Sequence, residues 1–179
     1  MKMRCITALA ILFAVFFLTT EISAGKSKRY EKLNTRVCLS SQIKFDDGDS
    51  FSCAGEPIRV LGIDTPEIIH RSHGIFKDQK GGKKAAAATK RLLTEAKRVI
   101  IVRNGKDYYG RTLAHVLIDG ELLSVKLLKK GLAYENVTHF GDNGLPEFAL
   151  QILEAAQTAP KPDFEEPYKW RKQNQLKKR

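Results

Sequence analysis

Four acids, placed at the two ends of a short run of strand-forming residues, constrain this chain more than any other feature. They lie between Asp47 and Glu67, which reads D-G-D-S-F-S-C-A-G-E-P-I-R-V-L-G-I-D-T-P-E. Asp47-Gly48 is a turn signal, because glycine accepts the positive φ that tight hairpins need. Ile58 to Ile63 is apolar and β-branched, broken only by Arg59 and Gly62. Pro66 pushes Thr65 towards extended geometry and stops the strand. Asp47 and Asp49 therefore fall at a hairpin tip, and Asp64 and Glu67 at a strand end. A strand pair that bends back brings the two sets together. Oxygen ligands of this kind suit calcium or magnesium and not zinc. Arg59 leads into the same place, and a planar cation there calls for a phosphate or a carboxylate. Single acids at turns are usually structural. Four of them beside Arg59, with a second arginine motif downstream, exceed what a plain hairpin explains.

The rest of the chain alternates strand and helix patterns. Arg36 to Phe45 reads as a first strand, Ser50 to Ala54 as a second and Ile58 to Asp64 as a third. His70 to Lys84 is a loop rich in Gly, Lys and His; His70 and His73 have no third ligand near and read as solvated. Ala85 to Lys97 is a helix, from its alanine run and the apolar positions Leu92, Leu93 and Ala96. Val99 to Arg103 and Thr112 to Ile118 are strands four and five, with a turn at Asn104-Gly105. Leu122 to Lys130 is a short amphipathic helix capped at Gly131. Pro146 to Thr158 is a third helix, opened by Pro146 and stopped by Pro160. Pattern alone gives an α+β chain.

Three ordered motifs make the reading specific: D-G-D-S at 47–50, I-R-V-L-G-I-D-T-P-E at 58–67 and D-Y-Y-G-R-T-L-A at 107–114. Together they resemble the staphylococcal nuclease (thermonuclease) family, from about Cys38 to Ala133 and more weakly beyond. The resemblance implies a five-stranded OB-type β-barrel packed by three α-helices, a fold widely used for oligonucleotides. It also implies a nuclease that hydrolyses phosphodiesters of DNA and RNA with one calcium ion (Ca2+) and low sequence specificity. Residue by residue, Asp49 and Asp64 match the carboxylate ligands of that ion, and Thr65 matches the residue that ligates through its backbone carbonyl. Asp47 matches an acid just outside the ligand set. Glu67 matches the proposed general base, and Arg59 and Arg111 the two phosphate-binding cations. Tyr109 matches a tyrosine at the nucleotide phosphate. The chain departs from the family where Tyr108 replaces the usual Lys or Arg before that tyrosine. It departs again where Val137 and His139 stand at the spacing of two tyrosines that face the base. A degenerate, non-catalytic nucleic-acid-binding barrel is the rival reading; it expects lost acids or arginines, and all five of Asp49, Asp64, Glu67, Arg59 and Arg111 are present.

Charge and the chain ends complete the expectations. The chain has 31 Lys+Arg against 20 Asp+Glu, net +11, which favours polyanions. Residues 1–24 read as a secretory signal: Lys2 and Arg4 precede an apolar core from Ile6 to Leu18, too short for an ordinary membrane span, and Ala24 offers a cleavage site. The alternative is an uncleaved anchor. Cleavage implies a secreted or periplasmic monomer with no stable membrane association. Residues 25–35 read as a flexible basic arm, 36–160 as the nuclease-like domain and 161–179 as a basic tail. Within that tail, E-P-Y-K-W-R-K (166–172) looks like the P-x-x-W-R segment of bacterial secreted relatives. It either folds back on the barrel through Trp170 or stays disordered. Cys38 and Cys53 could pair in an oxidising compartment. A two-residue turn at Asp47-Gly48 sets Cys53 opposite Gln42, roughly 13 Å of strand from Cys38, whereas a disulfide spans at most about 7 Å between Cα atoms. Pairing therefore requires a bulge or a bend in the first strand.

Overall fold

A computed structural model of the chain describes residues 33–176. The expected signal at 1–24, the arm as far as residue 32 and the last three residues of the tail lie outside the described residues. Nine strands are present among the described residues: β1 (Thr35–Cys38), β2 (Ile43–Phe45), β3 (Ser50–Cys53), β4 (Glu56–Val60), β5 (Ile63–Asp64), β6 (Val99–Lys106), β7 (Thr112–Ile118), β8 (Glu121–Leu122) and β9 (Tyr134–Glu135). Most form one mixed sheet in the order β1-β6-β7-β4-β3-β2, with β8 added on β7, while β5 and β9 pair separately. The sheet curls into a half-barrel of OB type within an α+β fold. Ile58, Val60, Ile101 and Val102 are core residues of the sheet, each at most 2% exposed.

Two of the predicted strands are interrupted, each for a local reason. The segment 36–45 is not continuous: a 3-10 turn at Ser40–Gln42 separates β1 from β2. The register is also one residue away from that of a two-residue hairpin, with Ile43 opposite Cys53 and Phe45 opposite Phe51. The bend returns Cys38 to Cys53, and the two form a disulfide with Cα atoms 6.1 Å apart. The run 58–64 breaks at Gly62, whose φ is +83°. A Cβ there would sit 2.4 Å from Ile152 Cδ1. Only glycine permits both the left-handed turn and the close approach. The break frees Ile63 and Asp64 to leave the main sheet and pair with β9, Asp64 opposite Tyr134.

The three expected helices are α1 (Gly82–Glu95), α2 (Leu123–Leu128) and α4 (Pro146–Thr158), the last with the bounds that its two prolines predict. Two more are present among the described residues, the short α3 (Val137–Phe140) and α5 (Pro167–Asn174). Helix α4 presents Phe148, Ala149, Ile152 and Ala155 to the core. Buried Leu93 of α1 and Leu123 and Leu127 of α2 complete it. After α4 the tail does not leave the body. Phe164 and Trp170 are 7% and 8% exposed, and Gln175 makes a β-bridge to Ile75. The amphipathic signal of this segment is weak because α5 buries only Pro167 and Trp170, not a full apolar stripe.

Candidate active site

The loop after β2 sets the first acids. Asp47 Oδ1 accepts the backbone N–H of Asp49 at 3.0 Å, an Asx turn that fixes the loop. Thr89 of α1 donates its hydroxyl to the Gly48 carbonyl at 2.6 Å, which ties the loop to the helix. Asp49 is 1% exposed. Its Oδ2 accepts both the Thr65 backbone N–H at 2.8 Å and the Thr65 hydroxyl at 2.9 Å. Its Oδ1 accepts from Ser50 Oγ at 3.2 Å and is ion-paired to Arg59. The hairpin tip and the strand end thus meet through Asp49 and Thr65, as the sequence pattern expects.

Arg59 lies on β4 directly opposite Ser50. Its fork spans both acids, one Nη on Asp49 and the other on Asp64 Oδ1 at 2.9 Å. A guanidinium between two buried carboxylates offsets the cost of burying them. Glu67 follows the strand end on a loop that is itself pinned. Its carbonyl accepts the Gln79 N–H at 2.8 Å and its N–H donates to Gln79 Oε1 at 3.2 Å. A Cβ on Gly82 would lie 2.1 Å from the Glu67 carbonyl oxygen, so the start of α1 can approach this loop only as glycine. Burial pushes the Glu67 carboxyl above the usual range; Arg171 opposes this, and the neighbouring charges of Asp47 and Asp64 add to it.

Arg111 stands across the site, after the turn between β6 and β7. Asp107 organises that turn by accepting the backbone N–H groups of Tyr109 and Arg111, both at 2.9 Å. It also holds Arg111 Nε at 2.7 Å. Arg111 Nη1 reaches Ser50 Oγ at 3.4 Å, so a chain of polar contacts links it to Asp49. Tyr109 is 75% exposed with the Arg111 guanidinium 5.7 Å from its ring centroid, and Tyr108 is 97% exposed. The loop histidines are not merely solvated. The ring centroids of His70 and His73 lie 3.8 Å apart at a tilt of 41°, and His73 lies 6.4 Å from the ring of Tyr109. Of the two departures near α3, Val137 is buried, while His139 packs edge-on against Phe140, itself 66% exposed.

One charged residue in this site lies outside the motifs. Arg171, on α5, donates from Nη1 to Asp64 Oδ1 at 3.0 Å and from Nη2 to Asp64 Oδ2 at 2.8 Å. The same Nη1 reaches Glu67 Oε1 at 2.5 Å. Its partners are 107 and 104 residues away in the chain. The sequence signal was the W-R pair in the tail, which becomes informative only once Trp170 is seen to be buried. Among the described residues, no group of three or more His, Cys, Asp or Glu side chains is arranged to hold a metal ion. A cation here would rest on the two carboxylates Asp49 and Asp64 with backbone carbonyl and water oxygens. That all-oxygen donor set fits calcium, which accepts six to eight such ligands.

Residues 57–161 match the family model described as staphylococcal nuclease homologue. The match contains Arg59, Asp64, Thr65, Glu67 and Arg111, while Asp47 and Asp49 lie just before it. The chain is 33% identical over 133 residues to a thermonuclease of Staphylococcus hyicus, covering 72% of this chain and 75% of that protein. It is 43% identical over 79 residues to a thermonuclease of Staphylococcus intermedius, covering 44% of this chain and 45% of the relative. An uncharacterised endonuclease of Haemophilus influenzae is 28% identical over 176 residues, 93% of this chain and 86% of its own length.

Proposed function

The chain belongs to the staphylococcal nuclease family and is on that ground a nuclease, and from this premise we propose that it is a secreted, calcium-dependent endonuclease acting on DNA and RNA with low sequence specificity. The observation that carries the reading is Arg59 gripping Asp49 and Asp64 together, with Glu67 tied to Asp64 through Arg171 and Arg111 linked to Asp49 through Ser50. A phosphodiester is anionic and resists an anionic nucleophile. A calcium ion held here would supply positive charge to offset this and Lewis acidity towards a phosphoryl oxygen. Asp49, Asp64 and the Thr65 carbonyl would hold the ion, with Asp47 supporting the loop that carries Asp49.

The remaining work falls to this chain's own groups. Glu67 orients the attacking water and takes its proton. Arg59 and Arg111 bind the phosphate oxygens as charge grows on them, through planar forks that lysine cannot copy. Tyr109 and its neighbouring rings offer stacking faces for the flanking nucleotides, which are sequence-tolerant because every base has a π-face. The net charge of +11 steers the polyanion to the site. Export is supported by the signal-like pattern of residues 1–24 and by the Cys38–Cys53 disulfide, which suits an oxidising compartment.

The test is cleavage of single-stranded DNA, duplex DNA and RNA by the purified protein in calcium, in magnesium and in excess chelator. Calcium should activate and chelator abolish cleavage. Full activity in chelator would remove the metal from the reading. Tight binding without cleavage under every condition would instead make this a non-catalytic nucleic-acid-binding barrel.

A further inference from the structure

Arg171 is not a surface cation that happens to lie near the site. The strap that carries it is fastened on both sides of the acids. Before α5, the Phe164 carbonyl accepts the Tyr134 hydroxyl at 2.9 Å, and the Glu165 carbonyl accepts Gln79 Nε2 at 2.6 Å. Gln79 is the same residue that holds the Glu67 backbone, so the strap and the Glu67 loop share one anchor. After α5, Gln175 Nε2 donates to the His73 carbonyl at 2.8 Å and the Leu176 N–H to the Gly74 carbonyl at 2.9 Å. The other cations of α5 turn away: Lys169 pairs with Glu166, and Lys172 lies over the exposed Tyr168 ring.

What Arg171 does at Asp64 is specific. Both carboxylate oxygens of Asp64 are engaged, one by Arg171 alone and the other by Arg171 and Arg59 together. A metal ion needs lone pairs on that carboxylate. It also needs the negative charge that Asp49, Asp64 and Glu67 supply, and two guanidiniums already offset most of it. Arg171 and the metal therefore compete for the same oxygens and the same charge. Arg59 also touches Asp64, but it reaches the acids from the sheet beneath them. Arg171 reaches them from the strap, on a long side chain that can swing away while the helix stays anchored.

We propose that Arg171 is a positioning residue that takes the place of the divalent cation in the metal-free protein, keeping Asp64 and Glu67 apart and aligned until the ion displaces it, and so sets the metal affinity of the site. This rests on the metal reading given above. It also explains how Asp64 and Glu67 can lie side by side without the ion. The competition has a thermodynamic signature, because a contact made only in the metal-free state must appear twice. It stabilises that state, and it weakens metal binding by the same factor.

The experiment compares the full chain with Arg171→Ala and Arg171→Lys, using calcium titration by calorimetry and urea unfolding in chelator and in saturating calcium. Removing a contact that only the metal-free site makes should tighten calcium binding by about tenfold or more, the factor that charge-assisted hydrogen bonds of this kind are worth. Arg171→Lys, which keeps the charge but not the fork, should fall between Arg171→Ala and the wild type. In chelator Arg171→Ala should be less stable than the wild type, and in saturating calcium the gap should close. Unchanged or weaker calcium binding in Arg171→Ala, or an equal stability loss with and without calcium, would overturn the proposal and leave Arg171 a structural tie. If the wild type itself binds no calcium, the metal reading falls first and this inference with it.

Discussion

At the scale of single residues, the site separates groups that act through shape from groups that act through charge. Arg59 and Arg111 are each held by an acid, Asp49 with Asp64 for the first and Asp107 for the second. Their forks are aimed before any substrate arrives. Arg59→Lys and Arg111→Lys keep the net charge, so non-specific affinity and its salt dependence should barely change. Turnover should still fall by roughly 10²-fold or more in each, the loss expected for one preorganised donor. Near-normal turnover in either variant would move the reacting phosphate away from that guanidinium. Glu67→Gln tests the proton step. It keeps the shape of the side chain and the backbone ties to Gln79. Single-turnover cleavage should drop by at least about 10²-fold while nucleic acid still binds. A rate within a few-fold of the wild type would remove Glu67 from the chemistry.

At the scale of elements, the interruptions in the strands are what assemble the site. The 3-10 turn between β1 and β2 brings Cys38 back to Cys53, and the disulfide fixes the strand that leads into the Asp47–Asp49 loop. The bridge closes a separation of 15 residues. A closure of that length is worth about 3 kcal/mol in the chain-entropy account. The double variant Cys38→Ser, Cys53→Ser should therefore lose stability on that order in urea, measured against the oxidised wild type. An unchanged unfolding midpoint would mean that the closure constrains nothing the sheet does not already fix. Gly62 does the corresponding work on the other side, since its left-handed turn releases Asp64 from the sheet and points the strand end back towards Asp49.

At the scale of the whole molecule, one buried and one half-buried ionisable group shape how stability follows pH. His115 on β7 is 2% exposed, packs edge-on against Phe148, and neither ring nitrogen has a hydrogen-bond partner among the described residues. Burial lowers its pKa from 6.5 to about 4. The fold holds it neutral, while the unfolded chain protonates it below 6.5. Its contribution is complete above pH 6.5 and is lost as pH falls towards 4. The gap from 6.5 to about 4, at about 1.4 kcal/mol for each pH unit, corresponds to between about 3 and 4 kcal/mol at most. Glu56 behaves similarly at lower pH. Arg103 bonds it, burial opposes, and Thr112 and Arg36 add to a net fall from 4.5 to about 2. Its contribution is present above 4.5 and goes as pH drops through 2. Stability should thus decline first between pH 6.5 and 4.5 through His115, and further below 4.5 through Glu56. Denaturation of His115→Leu at pH 7 and pH 5 should show a much smaller difference than the wild type. An equal difference would place the acid sensitivity elsewhere.

What the sequence determined by itself was local. The stop at Thr65-Pro66, the α4 helix between its prolines and a turn near Asp47-Gly48 follow from φ preferences, periodicity and residue spacing, which act over a few residues. Gly48 itself does not take the positive φ expected of it and is demanded instead by packing, since a Cβ there would sit 2.6 Å from Thr65 Oγ1. The α+β class followed from the order of those elements, and the OB-type fold from the family resemblance that the three motifs bearing Asp49, Arg59, Asp64, Glu67 and Arg111 carry. Tertiary structure decided what depends on distant partners. The strand from Arg36 to Phe45 broke because a bend and a disulfide outweigh β propensity there, and the run to Asp64 broke because Ile152, from a helix late in the chain, packs on Gly62. The tail became part of the site only because Phe164 and Trp170 find room on the body, which no pattern inside 161–176 specifies. Arg171 meets Asp64 across 107 residues, and a charge carries no mark in sequence of the charge it will face.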